Sequence, residues 1–309
     1  MITVAEQKII VVQATDMTIR VATTAVQGPA GPAGPAGPAA TNVQVLPALP
    51  LEPAVGDQCI ADGIGYVALR HGLWRPVSGN YAWYQPIPGA PHGTGPGFSL
   101  TATGTATALG IATTNRVTMN PVLEALVTVA SNTAVAGVRH GAWMFARGDI
   151  GGAGGFFLSC RWRPATGQTI ATHRAFAGAM GTIVAPTDVN PSTRPNIIGM
   201  GWDSGDANVQ MMHNDDTGAA TRIDLGAAFP RPTADRDNLY DLEIYAPRGA
   251  AEVRYRCVNV LTDAIASGTI STDLPALTQL LTIQISASVG GTSSVIGVAA
   301  GPIYVATAI

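Results

Sequence analysis

Residues 28–39 are four consecutive Gly-Pro-Ala triplets, and this run constrains the fold more than any other feature of the sequence. Glycine at every third position beside proline is the pattern of the collagen triple helix, where only glycine fits at the axis. Three chains would bury Gly28, Gly31, Gly34 and Gly37 there, whereas one chain alone would be a stiff polyproline II linker. The run therefore predicts a homotrimer, with the monomeric linker as the alternative. Four triplets are too few to hold three chains, so the flanking segments must supply trimer contacts.

The chain is poor in charge, which narrows its partners. Charged residues are 12% of the 309 residues, about half the usual share, and the net charge is −3. Nothing is basic enough to attract nucleic acid. The N-terminus lacks the pattern of a signal peptide, and no apolar run has the length of a membrane helix, so membrane insertion is not expected. Cys59, Cys160 and Cys257 lack metal-ligand spacing and are predicted to be buried thiols in a protein made in a reducing cytoplasm.

Three short segments surround the collagen-like run or follow it. Residues 1–27 are β-branched and partly alternating, which predicts a β-ribbon. Such a ribbon is marginal alone, so it is expected to trimerise or to anchor the chain on another protein, with packing on its own subunit as the alternative. Residues 40–78 carry hairpin-turn signals and predict a small meander, whose apolar residues are expected to meet their symmetry mates. Residues 79–97 are predicted to be a Pro/Gly linker.

From residue 98 to 309 the sequence alternates between apolar and polar residues over many short segments. This period of two, with turns every 8 to 12 residues, predicts a large antiparallel β-sandwich of roughly a dozen strands. The predicted fold class is therefore all-β. Trp143 and Trp162 are both expected in the core, whereas Asp241 and Glu243 are expected on an outward face. The inward residues of two representative strands are Phe156, Leu158, Cys160 and Trp162, and Tyr240, Leu242 and Ile244.

The order of these parts resembles the collagen-containing fibre proteins of tailed bacteriophages. The likeness is carried by residues 55–57 with Asp62, Gly63 and Trp74, and by a C-terminal half that resembles a lectin-like domain of such fibres. The resemblance implies a jelly-roll or lectin-like sandwich in a trimeric fibre on the virion surface. Residues 1–27 would attach to another virion protein, and the distal domain would touch the host. Attachment to the tail and attachment to the head both remain open.

One stretch offers the groups of a sugar site. Lectins stack an aromatic ring on the apolar face of a sugar and hold its hydroxyls with Asp and Asn. The predicted glycan-binding residues are Trp202, Asp203, Asp206, Asn214 and Asp215. The alternative is that these acids are structural turn residues, the ordinary role of Asp and Asn at strand ends, or contact a cation. Trp202 and Asn214 can also lie at opposite ends of one hairpin.

Catalysis is not expected of this chain. A glycosidase needs two carboxylates facing each other across a cleft, and no Gly-x-Ser-x-Gly, His-Glu-x-x-His or Cys-x-x-Cys motif occurs. No metal or cofactor is expected either. The sequence therefore predicts a receptor-binding fibre that adheres to host surface polysaccharide. The alternatives are a head fibre or decoration protein without a specific receptor and, third, a glycan depolymerase.

Overall fold

The computed structural model describes residues 43–84, 98–103, 106–109, 123–151, 153–165, 172–233 and 238–308, which all belong to one compact unit. The predicted ribbon (1–27), the collagen-like run (28–39) with its four axial glycines, and residues 85–97 of the predicted linker lie outside these ranges. Short 3-10 helices occur at Arg70–Gly72 and Pro191–Thr193. The strands, in chain order, are β1 (Gln44–Leu46), β2 (Gln58–Ala61), β3 (Ile64–Ala68), β4 (Trp74–Ser78), β5 (Tyr81–Tyr84), β6 (Phe98–Thr103), β7 (Ala106–Leu109), β8 (Leu123–Ser131), β9 (Val135–His140), β10 (Phe145–Ala146), β11 (Asp149–Ile150), β12 (Ala153–Pro164), β13 (Arg174–Met180), β14 (Ile197–Trp202), β15 (Gln210–Asn214), β16 (Thr221–Asp224), β17 (Tyr240–Ala246), β18 (Val253–Asn259), β19 (Ala264–Ile270), β20 (Leu280–Ser288) and β21 (Ser294–Ala308).

The predicted all-β class is confirmed, and most strands belong to two large antiparallel sheets. The eight-stranded sheet has the order β16-β15-β14-β13-β20-β9-β6, with β10 beside β20. The nine-stranded sheet has the order β19-β18-β17-β12-β21-β8-β7, with β11 beside β12 and β5 beside β21. No helix within these ranges is long and apolar enough to cross a membrane.

The two large sheets form a sandwich because each turns an apolar face toward the other. Leu158, Cys160 and Trp162 of the nine-stranded sheet share one buried cluster with Ile283 and Ile285 of the eight-stranded sheet. The alternation predicted for β12 and β17 places the expected residues in this core. Fully burying an aliphatic side chain is worth about 1.5 to 3 kcal/mol, which makes this cluster the main source of stability. The three cysteines are buried thiols, as predicted.

Residues 43–78 form a separate four-stranded sheet, here called the module. Its order is β1-β2-β3-β4, with β1 parallel to β2. The expectation that its apolar face meets symmetry mates is wrong. Tyr66 and Trp74 pack instead against Phe157 and Tyr245 on the outer face of the nine-stranded sheet of the same chain. The Tyr66 and Phe157 rings meet edge to face at 5.3 Å between centroids. Four short strands bury too little apolar surface alone, and the sandwich supplies the rest.

The segment predicted as a linker begins with a strand. Tyr81–Tyr84 pairs antiparallel with β21, with Tyr84 opposite Ile303 and Tyr81 opposite Ala306. The C-terminal strand is thereby flanked by β12 on one side and by β8 and β5 on the other. Prolines and glycines dominate residues 85–97 but not 81–84, so composition averaged over the whole segment conceals this strand.

Candidate functional site

Trp202 lies in the core rather than on the surface. Its ring is fully buried and stacks on Trp162 with a centroid distance of 5.2 Å and an interplanar angle of 16°. The ring of His173 closes one edge of the stack at 5.3 Å. Trp162 is therefore a core residue as predicted, whereas Trp202 presents no ring face on which a sugar could stack.

The remaining predicted glycan residues divide between two ends of the β14–β15 hairpin. Ile197 pairs with Asn214, and Gly201 pairs with Gln210. Since Trp202 lies five residues after Ile197, it is separated from Asn214 by about 17 Å along the strand pairing. Asp203 and Asp206 lie beyond the Trp202 end, and Asp215 lies beyond the Asn214 end. The structure does not bring these five residues together into one site.

Asp203 and Asp206 fasten a loop and a neighbouring strand. Asp203 accepts hydrogen bonds from the backbone N–H of Ser192 at 3.2 Å and from its hydroxyl at 2.5 Å. Asp206 accepts from the backbone N–H of Asp203 at 2.8 Å and from the Arg222 guanidinium at 2.9 Å. Both carboxylates therefore accept hydrogen bonds that stabilise the turn after β14.

Asn214 and Asp215 organise the turn at the opposite end. Buried Asn214 donates to the carbonyl oxygens of Arg194 and Gly218, and the Asp215 carboxylate accepts from the backbone and hydroxyl of Thr217. Asp273 accepts from the backbone N–H groups of Asp215 and Thr221. Burial raises the pKa of Asp273, but the bonds from Thr221 and Asp215 outweigh it and hold this pKa below its ordinary value. These groups hold the backbone of the turn.

Trp143, predicted in the core, is exposed, and this prediction is wrong. Residues 144–148 lie antiparallel to residues 277–281, with Met144 N–H donating to the Leu281 carbonyl and Gly148 N–H to that of Leu277. Trp143 is 40% exposed, Leu277 41% and Leu280 44%. We call these three residues the Trp143 rim. An exposed aromatic ring and two exposed leucines therefore lie on the two segments of this strand pairing.

Two amide side chains lie close to the Leu280 part of this rim. Gln279 lies between Leu277 and Leu280 and donates its side-chain amide to the Leu280 carbonyl at 2.8 Å. A Cβ added to Gly181 would lie 2.5 Å from Asn196 Cβ and 3.2 Å from Gln279 Nε2, so the two amide side chains converge on that glycine. Sequence analysis missed this surface, although the turn signal of Gly141 places Trp143 in a loop rather than in a strand.

A second concave surface lies between the module and the nine-stranded sheet. Its volume is about 90 Å³, with Leu69, Leu73 and Arg75 of the module facing Arg161 and Asp241 of the sheet. Arg161 binds Asp241 through two parallel hydrogen bonds of 2.6 Å each. We call this surface the junction cleft. Its charged residues were visible in the sequence, but nothing there indicated that the module would lie against this part of the sheet.

The junction beside this cleft is polar as well as apolar. Glu243 accepts a 2.6 Å hydrogen bond from the backbone N–H of Trp74, and the Tyr245 hydroxyl donates to Asp62 at 2.7 Å. Arg254 and Arg256 donate to carbonyl oxygens of the segment before β2, at 2.8 and 2.7 Å. Burial raises the pKa of Glu243 to about 8, against the lowering effects of the Trp74 bond and the Arg256 charge.

Within the described ranges, no group of three or more His, Cys, Asp or Glu side chains is arranged to hold a metal ion. In the Asp-rich turns at residues 203–206 and 214–216, the carboxylates of Asp203, Asp206 and Asp215 accept hydrogen bonds from backbone N–H groups, hydroxyls and arginine.

Comparisons with family models and with curated proteins returned no match. Among solved structures, the chain is similar to lectin II from Ulex europaeus, at 12% identity and a TM-score of 0.43, covering 74% of this chain and 98% of that one. It is similar to arcelin-5, a lectin-like defence protein from Phaseolus vulgaris, at 11% identity and a TM-score of 0.45, covering 74% and 99%. For the Emp47p carbohydrate recognition domain the identity is 7% and the TM-score 0.44, covering 74% and 98%. At these levels the likeness carries no argument about function, and strand order and core packing define the sandwich.

Proposed function

We propose that this chain is the subunit of a homotrimeric bacteriophage fibre, exposed on the virion surface, which adheres to host surface polysaccharide through its sandwich. Residues 1–27 would attach to another virion protein. The Gly-Pro-Ala run would keep three chains in register and act as a connector of about 37 Å at the polyproline II rise. The adhesin itself needs no catalysis.

The observation that supports glycan adhesion is the Trp143 rim. A ring that is 40% exposed offers a face to the C–H groups of a pyranose, and Leu277 and Leu280 are further exposed apolar side chains on the paired segment. The amides of Gln279 and Asn196 converge on Gly181, with Gln279 next to Leu280, and can exchange hydrogen bonds with hydroxyls. The rim therefore takes the role that the sequence assigned to Trp202.

Binding of the full-length chain to a printed array of bacterial capsular polysaccharides and lipopolysaccharides tests this function. Trp143→Ala should weaken binding to the recognised glycan at least tenfold, because a central aromatic anchor dominates such interfaces. Leu261→Ala is the matched control, since Leu261 is 50% exposed in the β18–β19 turn, away from the rim. Saturable binding that survives Trp143→Ala would move the site elsewhere on the molecule.

Array binding, together with two further measurements, separates this function from its alternatives. Absence of saturable binding on every glycan would favour a head fibre or decoration protein without a specific receptor. Release of reducing ends from a bound polysaccharide would favour a depolymerase instead. Mass measurement in solution tests the oligomer, and a monomer at micromolar concentration would refute the trimer.

A further inference from the structure

The junction cleft contains a guanidinium with no acidic partner. Arg75 is exposed at the edge of the module, and its Cζ lies 5.2 Å from the centroid of the Tyr304 ring. It makes no ion pair with any residue in the described ranges. The Tyr304 ring holds this cation at the cleft, and the Arg75 guanidinium donates no hydrogen bond to a residue in the described ranges, so its N–H groups are available to a ligand.

The opposite wall of the cleft contains Arg161, which forms an ion pair with Asp241 and keeps further N–H donors. Arg161 uses Nε and one Nη to bind Asp241, which leaves its second terminal nitrogen without a partner among the described residues. The Arg161 side chain is 24% exposed, and Ser159 presents a hydroxyl beside it. Since Arg161 and Asp241 neutralise each other, the formal charge of the cleft is that of Arg75.

Apolar walls and the volume limit what can enter. Leu69, Leu73, Trp74 and Tyr304 line the cleft together with these polar groups. Its volume of about 90 Å³ holds on the order of six water molecules, which matches one sugar ring rather than an oligosaccharide. A ligand that fits must combine an apolar ring face, hydroxyls and one negative charge.

We propose that the junction cleft binds one carboxylated monosaccharide unit, a uronate, with Arg75 contacting its carboxylate. Arg161 and Ser159 would donate to ring hydroxyls, and the leucines of the module would face its C–H groups. A planar guanidinium matches a carboxylate through two parallel hydrogen bonds, which favours this anion over a neutral sugar. This site is distinct from the Trp143 rim and does not require the rim to bind glycan.

Titration of the full-length chain with D-glucuronate, D-glucose and acetate, followed by saturation-transfer NMR, tests the proposal. Glucuronate should bind with a Kd of about 1 mM, typical of a ligand of this size. Glucose lacks the carboxylate and acetate lacks the ring, so each should bind at least tenfold more weakly. Equal affinity for acetate would indicate a simple anion contact and overturn the proposal, as would equal affinity for glucose.

Two arginine variants locate the contact. Arg75→Gln should weaken glucuronate binding about tenfold and leave glucose unchanged, whereas Arg75→Lys, which keeps the charge without the planar fork, should lose less. Arg70→Gln is the control, because it removes the same charge from the same module at a residue that pairs with Asp263. Equal weakening by Arg70→Gln and Arg75→Gln would show that only net charge matters and refute the site.

A variant of the Trp143 rim separates this inference from the proposed function. Trp143→Ala should retain glucuronate binding, because the rim and the junction cleft share no residue. Loss of array binding with retained glucuronate binding would support both sites. Loss of glucuronate binding in Trp143→Ala would contradict the separate cleft.

Discussion

Replacing Glu243 with glutamine should remove most of the pH dependence of the junction between module and sandwich. Glu243 is buried there and accepts the Trp74 N–H at 2.6 Å. Burial raises its pKa from 4.5 to about 8, although the Trp74 bond and the charge of Arg256 both act to lower it. Glutamine has nearly the same shape and keeps an oxygen acceptor for Trp74, but it cannot ionise.

The sign of the effect follows from the direction of this shift. Because the pKa in the folded state is higher than in the unfolded state, the folded chain binds an extra proton between pH 4.5 and about 8. Stability is therefore greatest at the acidic end of this window, falls as the pH rises through it, and levels off above it. Each pH unit is worth about 1.4 kcal/mol, so the loss reaches about 5 kcal/mol at most.

Hydrogen exchange of β2, β3 and β4, together with urea unfolding at a fixed protein concentration, measures this loss across the window. The Glu243→Gln chain should match the wild type near the acidic end and exceed it by a few kcal/mol at the alkaline end. Glu252→Gln is the control, since Glu252 is a surface carboxylate paired with Arg254 outside the buried junction. A wild-type module whose protection stays constant or rises with pH would refute the reasoning, as would a Glu243→Gln chain with the wild-type slope.

Three further substitutions test the contacts of the sandwich. Trp202→Ala should destabilise the chain by about 3 to 5 kcal/mol in urea unfolding, because it leaves a cavity beside Trp162. Asp241→Ala should cost a similar amount in the same assay, since it leaves the half-buried Arg161 without its carboxylate. Asp273→Asn should cost about 1 to 2 kcal/mol at neutral pH, and the difference should disappear as acid protonates the wild-type carboxylate.

The inward faces of the sandwich could be predicted because alternation is a local property of a strand. Leu158, Cys160 and Trp162 alternate with polar neighbours, and the structure places all three in the core. The same rule, applied to β14, would have placed Trp202 inward, because it shares the parity of Ile198 and alternates with two glycines. Asp203 follows Trp202 directly in the sequence, but adjacent residues of a strand point to opposite faces, so adjacency does not bring the two side chains to one ligand.

What could not be predicted depends on contacts between distant segments. Alternation places Asp241 and Glu243 on the outward face, which is correct, but it does not reveal that residues 43–78 cover that face. Glu243 is 6% exposed only because Trp74, separated from it by 169 positions, packs over it. The exposure of Trp143 is a similar case, because Trp143 lies just before residue 144, where the pairing with the distant residues 277–281 begins.

The way the module packs on the nine-stranded sheet therefore has two effects. By covering the outer face of the nine-stranded sheet, it buries Glu243 and makes that carboxyl sensitive to pH. By stopping short of Arg161 and Asp241, it leaves a cleft whose second wall, including Arg75, belongs to the module itself. A ligand that bridges both walls would favour the docked arrangement, whereas ionisation of Glu243 would oppose it, because both act on the same contact. Binding in the cleft and the protonation of Glu243 are therefore expected to be thermodynamically linked.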